Sequence, residues 1–240
     1  MNHYIYVMVH IGIIPDGNRR WCKKNNYGLD TLCDRWVDII LTTINDNIQE
    51  FKSNKNNKYK HLQEIDEMSL YVCSIDNMNR NDGTKETIFN FIRRLVDIYK
   101  NKEKELDTKI LNKIREHLQI TKINIIGDME LLPDDIQKLC IELSKEKENI
   151  QYTVNIAIAY DYKKDMINYG NNNNVNYNRE QSNIDILFRS GGEKRISGFF
   201  PTKVLYSELF FEKKLWPEIT LDDLNRTVKL FKKRERRYGK

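Results

Sequence analysis

The residues best suited to chemistry lie near the start of the chain, where Asp16 is closely followed by Arg19 and Arg20. Gly17 permits a positive φ and Asn18 tolerates the left-handed region, so the backbone can turn here and direct its amide hydrogens outward. Such amides and two guanidinium groups favour a phosphate, and the N-terminus of a following helix would add to that preference. A carboxylate among phosphate-binding groups is favoured when Mg²⁺ stands between them. An ordinary turn followed by a solvated arginine pair fits the same residue types equally well.

A second polar block begins at Arg189 and contains the glycine pair Gly191 and Gly192, followed by Arg195 and Ser197. Forked guanidinium groups, a hydroxyl and freed backbone amides could hold a second diphosphate. Taken alone, the block is equally typical of a solvated loop with a basic bias.

Two further polar features lie at other points of the chain. Glu208 is placed within the apolar run 205–211, where an unpaired carboxylate would be costly, so it needs either a metal ion or an arginine as its partner. A polar loop after residue 73 includes Asn77 and Arg80, and Thr84 is expected to cap the helix that follows.

The elements that must position these residues alternate along the chain. Apolar and β-branched runs predict strands at residues 5–14, 68–73, 120–126, 151–159 and 184–188. Helical spacing of apolar residues predicts helices over residues 29–41, 88–99, 106–118 and 133–143. Such alternation indicates a parallel sheet covered on both faces, with ligands beyond the carboxyl ends of its strands. Asp16, residues 74–80, Asp128 and Arg189 should therefore lie at one rim.

The predicted strand at 151–159 has two unlike faces. Its small residues, Thr153, Asn155, Ala157 and Ala159, share one side of the strand. Close packing of a helix onto the sheet is the favoured explanation for them, and space for an apolar ligand tunnel is the alternative. Residues 45–60 and 170–183 are rich in asparagine and are predicted to be mobile loops.

Composition excludes several classes of protein. A chain of 240 residues that is 40% hydrophobic can build one large domain. The net charge of +5 comes from 40 basic and 35 acidic residues, a mixed surface that argues against a nucleic-acid partner. The four cysteines lack C-x-x-C spacing, so a reducing compartment is expected. The longest apolar run, residues 4–14, is too short for a membrane helix, which predicts a soluble or at most peripheral protein.

Taken in chain order, these segments resemble the motifs of the cis-prenyltransferases, the undecaprenyl and dehydrodolichyl diphosphate synthases. The run His10-Ile11-Gly12-Ile13-Ile14-Pro15-Asp16-Gly17-Asn18-Arg19-Arg20-Trp21 is similar to the opening signature of that family. The other matching segments are residues 74–80, 189–197 and 206–211, Leu215-Trp216-Pro217, and the ending Arg237-Tyr238-Gly239. The resemblance therefore spans nearly the whole chain.

The resemblance implies an α/β fold with one domain over residues 1–240, built on a central, mostly parallel sheet of about six strands with helices on both faces. It implies a transferase that condenses isopentenyl diphosphate with an allylic diphosphate, farnesyl or similar, into a Z-polyprenyl diphosphate, with Mg²⁺ as cofactor. It also implies a homodimer, with a heteromer as the alternative, in the cytoplasm. Contact with a membrane would be peripheral, through the lipid product.

The resemblance also assigns roles to single residues. Asp16 and Asn77 would be catalytic, and Asp16 and Glu208 would be associated with the metal ion. The allylic diphosphate would contact Gly17, Asn18, Arg19 and Arg20. Isopentenyl diphosphate would contact Arg80, Arg189, Arg195 and Ser197. Arg237 and Gly239 would reach the site of a neighbouring subunit.

Some positions depart from the family pattern. Between Trp21 and Tyr27 the chain is shorter than family members that carry an arginine before a Gly-His pair, and Gly28-Leu29 stands where that pair would be. Arg35 is a candidate to replace the missing arginine. The Asp-Asp-x-x-Asp signature of trans-prenyl synthases is absent. The alternative interpretation is a non-catalytic or weakly active subunit of a hetero-oligomeric enzyme, although such subunits typically lose the aspartate and arginines that this chain keeps.

Overall fold

The computed structural model describes residues 9–33, 35–36, 60–100, 102, 108–171 and 182–236. The strands are β1 (Val9–Ile14), β2 (Ile65–Tyr71), β3 (Thr121–Ile126), β4 (Tyr152–Ala157), β5 (Ile186–Arg189) and β6 (Glu208–Phe211). The α-helices are α1 (Asn18–Asn25), α2 (Ile75–Met78), α3 (Thr84–Tyr99), α4 (Thr108–Gln119), α5 (Asp134–Leu143), α6 (Tyr162–Asn171) and α7 (Leu221–Phe231). Residues 31–33 and 35–36 are also helical, within the predicted helix 29–41.

The six strands form one sheet in the order β3-β4-β2-β1-β5-β6, and every pairing in it is parallel. The predicted fold class is therefore confirmed. Strand β1 lies between β2 on one side and β5 on the other, so the chain leaves β1 in one direction and later returns on its other side. A reversal of this kind opens a crevice beyond the carboxyl ends of the strands involved.

The two faces of β1 pack against different parts of the chain. Val9, Ile11 and Ile13 contribute to a buried cluster that includes residues of β5 and α7. On the opposite face, a Cβ at Gly12 would lie 3.0 Å from side-chain atoms of Ile184 and Phe199. A larger residue at Gly12 would push this layer away from the sheet, so the glycine permits close packing.

Helix α3 carries the predicted apolar stripe into a second buried cluster. Ile88, Phe91, Ile92, Leu95 and Val96 are all buried there with residues of α4 and α5. The start of this helix corrects one expectation, because Gly83 is the capping residue, with φ +81°, and Thr84 is the first helical residue. The backbone N–H of Thr84 donates to Asp82 Oδ1 at 3.1 Å.

The small-residue face of β4 carries a polar network, so the alternative of an apolar ligand tunnel on this face is wrong. Asn155 is fully buried, and its side-chain nitrogen donates to Glu67 Oε1 at 2.7 Å and to Ser69 Oγ at 3.0 Å. His10 Nε2 lies 2.8 Å from the same Ser69 hydroxyl. Small side chains are needed on this face because polar groups from β1, β2 and β4 must reach one another.

The two asparagine-rich segments, 45–60 and 170–183, lie almost wholly outside the described residues. Within 170–183, the positions at 170–171 form the end of α6. The prediction that these segments are mobile stays a prediction.

Candidate active site

Three polar segments meet beyond the carboxyl ends of the adjacent strands β2, β1 and β5. Together they line a cleft of about 540 Å³. Ten of the predicted site residues line it, namely Asp16, Gly17, Asn18, Arg19, Arg20, Asn77, Arg80, Arg189, Arg195 and Ser197. Residues that are far apart in sequence are thus brought to one rim, as the pattern of strands predicted.

Asp16 lies at the centre of this arrangement. Its Oδ2 accepts from Arg189 Nη2 at 2.8 Å, and its Oδ1 accepts from the Gly17 amide at 2.6 Å and from Arg20 Nη2 at 3.3 Å. Burial raises the pKa of Asp16, but the Arg189 guanidinium, the Gly17 amide and Arg20 outweigh it and hold the pKa below its ordinary value. Asp16 therefore stays ionised at neutral pH.

The main chain of Asp16 is fixed as firmly as its side chain. Its carbonyl oxygen accepts from Ser190 Oγ at 2.8 Å and from the Trp216 amide at 2.9 Å. A Cβ at Gly17, where φ is +98°, would lie 2.7 Å from Leu215 Cδ2. This glycine is thus required both by its backbone conformation and by the close approach of Leu215.

Arg189 ties the second polar block to the first. It is 4% exposed, and its Nη1 donates to the Arg195 carbonyl at 2.5 Å and to Ser197 Oγ at 2.8 Å. Its Nε is buried and has no hydrogen-bond partner among the described residues. A buried guanidinium N–H without an acceptor is costly, so this atom suits a bound anion.

Helix α1 begins directly at the cleft. The amides of residues 18–20 precede the first helical bond, in which the Trp21 amide donates to the Gly17 carbonyl at 2.9 Å, so they and the helix dipole favour negative charge. The Asn18 side chain does not face the cleft freely, because its Nδ2 donates to the Pro15 carbonyl at 2.7 Å. Arg19 is exposed and forms an ion pair with Asp82 at 2.6 Å.

The loop after β5 needs glycine at its closest point to Asp16. At Gly191, where φ is +84°, a Cβ would lie 2.7 Å from Arg20 Nη2 and 3.2 Å from Asp16 Cβ. The Gly191 amide donates to the Lys214 carbonyl at 2.7 Å, which holds the turn. Further along, Arg195 is exposed and pairs with Glu193 at 2.5 Å, so its guanidinium remains at the mouth of the cleft.

The third wall of the cleft is the short helix α2. Ser74 caps it by accepting from the Asn77 amide at 3.2 Å. Asn77 and the exposed Arg80 both line the cleft.

Other predicted residues are not brought to this cleft. Glu208 begins β6 and is in register with Ile186, three residues before Arg189, so it lies about 10 Å back from the rim. Its side chain pairs with Arg234, so the arginine partner that the apolar run allowed is present, and its predicted association with a metal ion stays a prediction. Arg237 and Gly239 lie outside the described residues, so their predicted role stays a prediction.

Two more candidates have structural partners elsewhere. Arg35, the candidate to replace a family arginine, donates from Nε to the Pro217 carbonyl at 2.9 Å. Asp128 follows β3 at the far edge of the sheet and pairs with Lys164. Neither residue lines the cleft.

Sequence reasoning missed Tyr71, which lines the cleft at the end of β2. Burial raises its pKa to about 12, so the hydroxyl stays protonated and donates to the Ser197 carbonyl at 3.2 Å. Its ring stacks on Phe199 at 4.9 Å between centroids. In the sequence, Tyr71 looks like any aromatic residue of a buried strand. Only its position at a strand end could have suggested that it lines the site.

An apolar cavity of about 150 Å³ adjoins the polar cleft. It lies on the face of β4 that carries Val154 and Ile156, and it extends between Phe91 and Leu95 of α3 and Leu118 of α4. Pro15, Asn18, Trp36 and Val72 line both spaces. A charged group and an attached hydrocarbon could therefore be bound together.

Comparison with known proteins agrees with this geometry. The sequence model of the family described as "Putative undecaprenyl diphosphate synthase" matches residues 49–239. The chain belongs to this family, the cis-prenyltransferases. A "Tritrans,polycis-undecaprenyl-diphosphate synthase (geranylgeranyl-diphosphate specific)" of Sulfurisphaera tokodaii is 30% identical, over 96% of this chain and 87% of that protein. An "Isoprenyl transferase" of Rickettsia bellii is also 30% identical, over 96% of this chain and 97% of that protein.

Solved structures of cis-prenyltransferase type share the fold. The lavandulyl diphosphate synthase of Lavandula x intermedia, in complex with dimethylallyl diphosphate, has a TM-score of 0.66 at 19% identity, covering 98% of this chain and 99% of that one. A "probable undecaprenyl diphosphate synthase" of Campylobacter jejuni has a TM-score of 0.63 at 20% identity, with full coverage of both chains. By its family and its sequence relatives, this chain is a prenyltransferase that makes prenyl diphosphates of the cis type. Among its described helices, none has the length and hydropathy needed to span a membrane.

Proposed function

We propose that this enzyme extends an allylic diphosphate, farnesyl diphosphate or a similar one, with isopentenyl diphosphate in a Mg²⁺-dependent reaction that yields a Z-polyprenyl diphosphate. One observation carries the proposal: a cleft lined by arginines and helix amides opens beside an apolar cavity, and the two share Pro15, Asn18, Trp36 and Val72. A prenyl diphosphate has this same division into a charged head and an apolar tail.

The two diphosphates would occupy different walls of the cleft. The allylic diphosphate would bind at the start of α1, where unpaired amides and Arg20 favour an anion. Isopentenyl diphosphate would bind at the other wall, at Arg195, Ser197 and Arg189, whose buried Nε has no hydrogen-bond partner among the described residues. Asp16 lies between these walls and contacts both arginine groups, through Arg20 and Arg189.

The donor set fits Mg²⁺ only if substrate completes it. Among the described residues, no group of three metal-ligating side chains comes together. Mg²⁺ is usually bound by one or two carboxylates together with substrate phosphates, so Asp16 and a diphosphate would suffice. When bound, the ion would neutralise diphosphate charge and so make the diphosphate a better leaving group.

The residues of the chain would act mainly by electrostatics and by shielding. As the allylic C–O bond breaks, the departing diphosphate takes the electron pair, and Arg20 with the α1 amides would stabilise its growing charge. The apolar cavity would keep water from the allylic cation. The double bond of isopentenyl diphosphate then forms the new C–C bond, and loss of one proton completes the step.

Incorporation of radiolabelled isopentenyl diphosphate into a butanol-soluble product, with farnesyl diphosphate and Mg²⁺, tests the proposal. Wild type should incorporate label, chelation of Mg²⁺ should stop it, and Asp16→Ala should lower it by about 100-fold or more. The exposed Glu148→Ala is the matched control and should keep full activity. Full activity of Asp16→Ala would refute the role of Asp16. Activity that appears only with a second chain would favour the non-catalytic subunit.

A further inference from the structure

Trp36 has the largest side chain on the boundary between the polar cleft and the apolar cavity. Only four residues among those described line both spaces, and the other three are Pro15, Asn18 and Val72. The indole also packs against both large buried clusters, the one around α3 and the one around β1 and α7. It therefore stands where the two clusters, and the two spaces, meet.

The orientation of this indole is fixed from two sides. Its Nε1 donates to Asn18 Oδ1 at 3.0 Å, and the Asn18 amide is itself oriented by the Pro15 carbonyl. The ring meets Phe91 edge to face, with 5.4 Å between centroids and 89° between planes. A partly buried indole that has both a hydrogen-bond partner and an aromatic neighbour is held in one orientation.

We propose that Trp36 is a specificity-determining residue of this enzyme. Its side chain limits how far an allylic chain passes from the polar cleft into the apolar cavity. The inference rests on the proposed function, since it takes the allylic diphosphate to bind at the start of α1. A hydrocarbon attached to that diphosphate must cross the boundary that Trp36 helps to line in order to reach the cavity lined by Phe91 and Leu95.

The hydrogen bond to Asn18 links Trp36 to the proposed diphosphate site. Asn18 is the first residue of α1, so any movement of the helix start on diphosphate binding would be passed to the indole through this hydrogen bond. Trp36 thus acts on chain length through its bulk and on starter binding through its N–H. These two effects can be separated by substitution.

The test compares Trp36→Ala, Trp36→Leu and Trp36→Phe for product length and for kcat/KM with farnesyl and geranylgeranyl diphosphate as starters. Trp36→Ala and Trp36→Leu widen the passage, so they should lengthen the products by one isoprene unit or more and favour the longer starter. Trp36→Phe keeps most of the bulk but loses the N–H. It should shift product length least and raise KM for the starter by about fivefold, roughly 1 kcal/mol.

Phe89→Leu is the matched control, because Phe89 is buried in α3 near Phe91 but lines neither space. It should lower the melting temperature without changing product length. If Trp36→Ala and Trp36→Leu fold, are active and keep the wild-type product length and starter ratio, this inference is overturned while the proposed function stands. An equal shift of product length in Phe89→Leu would overturn it as well. Wild type that incorporates no isopentenyl diphosphate would instead refute the proposed function and this inference with it.

Discussion

Replacing Arg189 by methionine should remove the contacts that hold the centre of the site together and so lower the free energy of unfolding. The change removes donors to the Arg195 carbonyl, to Ser197 Oγ and to Asp16 Oδ2, while methionine fills much of the same volume. Removal of one partner from a buried ion pair typically costs about 3 to 5 kcal/mol. Asp16 keeps the Gly17 amide and Arg20 as partners, so the lower end, about 3 kcal/mol at neutral pH, is expected.

The pH dependence of this loss follows from the pKa of Asp16. In wild type Arg189 holds that pKa down, so Asp16 stabilises the fold above its ordinary pKa and loses this contribution as pH falls through the lowered value. In Arg189→Met burial is opposed less, the pKa rises, and the folded state gains relative stability as Asp16 becomes protonated. The cost of the substitution should therefore shrink between neutral pH and about pH 4.

Urea unfolding monitored by circular dichroism measures both quantities. The double variant Asp16→Asn/Arg189→Met should be less destabilised than the sum of its single variants, by about 1 kcal/mol or more. Arg93→Met breaks an exposed pair with Asp135 and serves as control, and it should change stability little. A cost for Arg189→Met that matches this control, or that does not change with pH, would refute the reasoning.

Two further substitutions test the walls of the cleft. Gly17→Ala should lower the free energy of unfolding by about 2 kcal/mol, because it combines a strained φ with a Cβ 2.7 Å from Leu215 Cδ2. The control is Gly192→Ala, where φ is +81° but a Cβ would have no atom within 4 Å, and it should cost only about 1 kcal/mol. Thermal unfolding measures both. Equal costs would show that the contact with Leu215 does not matter. Tyr71→Phe keeps the aromatic stack but loses the bond to the Ser197 carbonyl, and should raise KM for isopentenyl diphosphate about fivefold. An unchanged KM would argue against that bond positioning Ser197.

The sequence predicted the rim of the site well because the rim depends on local signals. An apolar run that switches to Asp16-Gly17-Asn18 marks a strand end, and the carboxyl ends of parallel strands must share an edge. The strand order could not be derived in the same way. That β1 lies between β2 and β5 depends on pairings between residues about 55 to 175 positions apart, which no local pattern encodes.

Other details also depend on long-range packing. The apolar run around Glu208 called for a metal ion or an arginine as its partner, and only the register of β6 on β5 shows that the carboxylate lies back from the rim, beside Arg234. The small residues of β4 left close packing and a tunnel open, and only the structure shows that Asn155 makes polar bonds to Glu67 and Ser69 on that face. The sequence pattern placed Trp36 only on the apolar face of the predicted helix at residues 29–41. Its position between two cavities depends on packing of distant segments.

The most direct measurement is a crystal structure of the enzyme with Mg²⁺, isopentenyl diphosphate and a thio analogue of farnesyl diphosphate that cannot ionise. The account predicts two diphosphates in the cleft, one at the start of α1 and one at Arg189, Arg195 and Ser197, with Mg²⁺ on Asp16. The prenyl chain should pass Trp36 towards the apolar cavity. Diphosphates bound elsewhere, or a prenyl chain that leaves the cleft without entering that cavity, would contradict it.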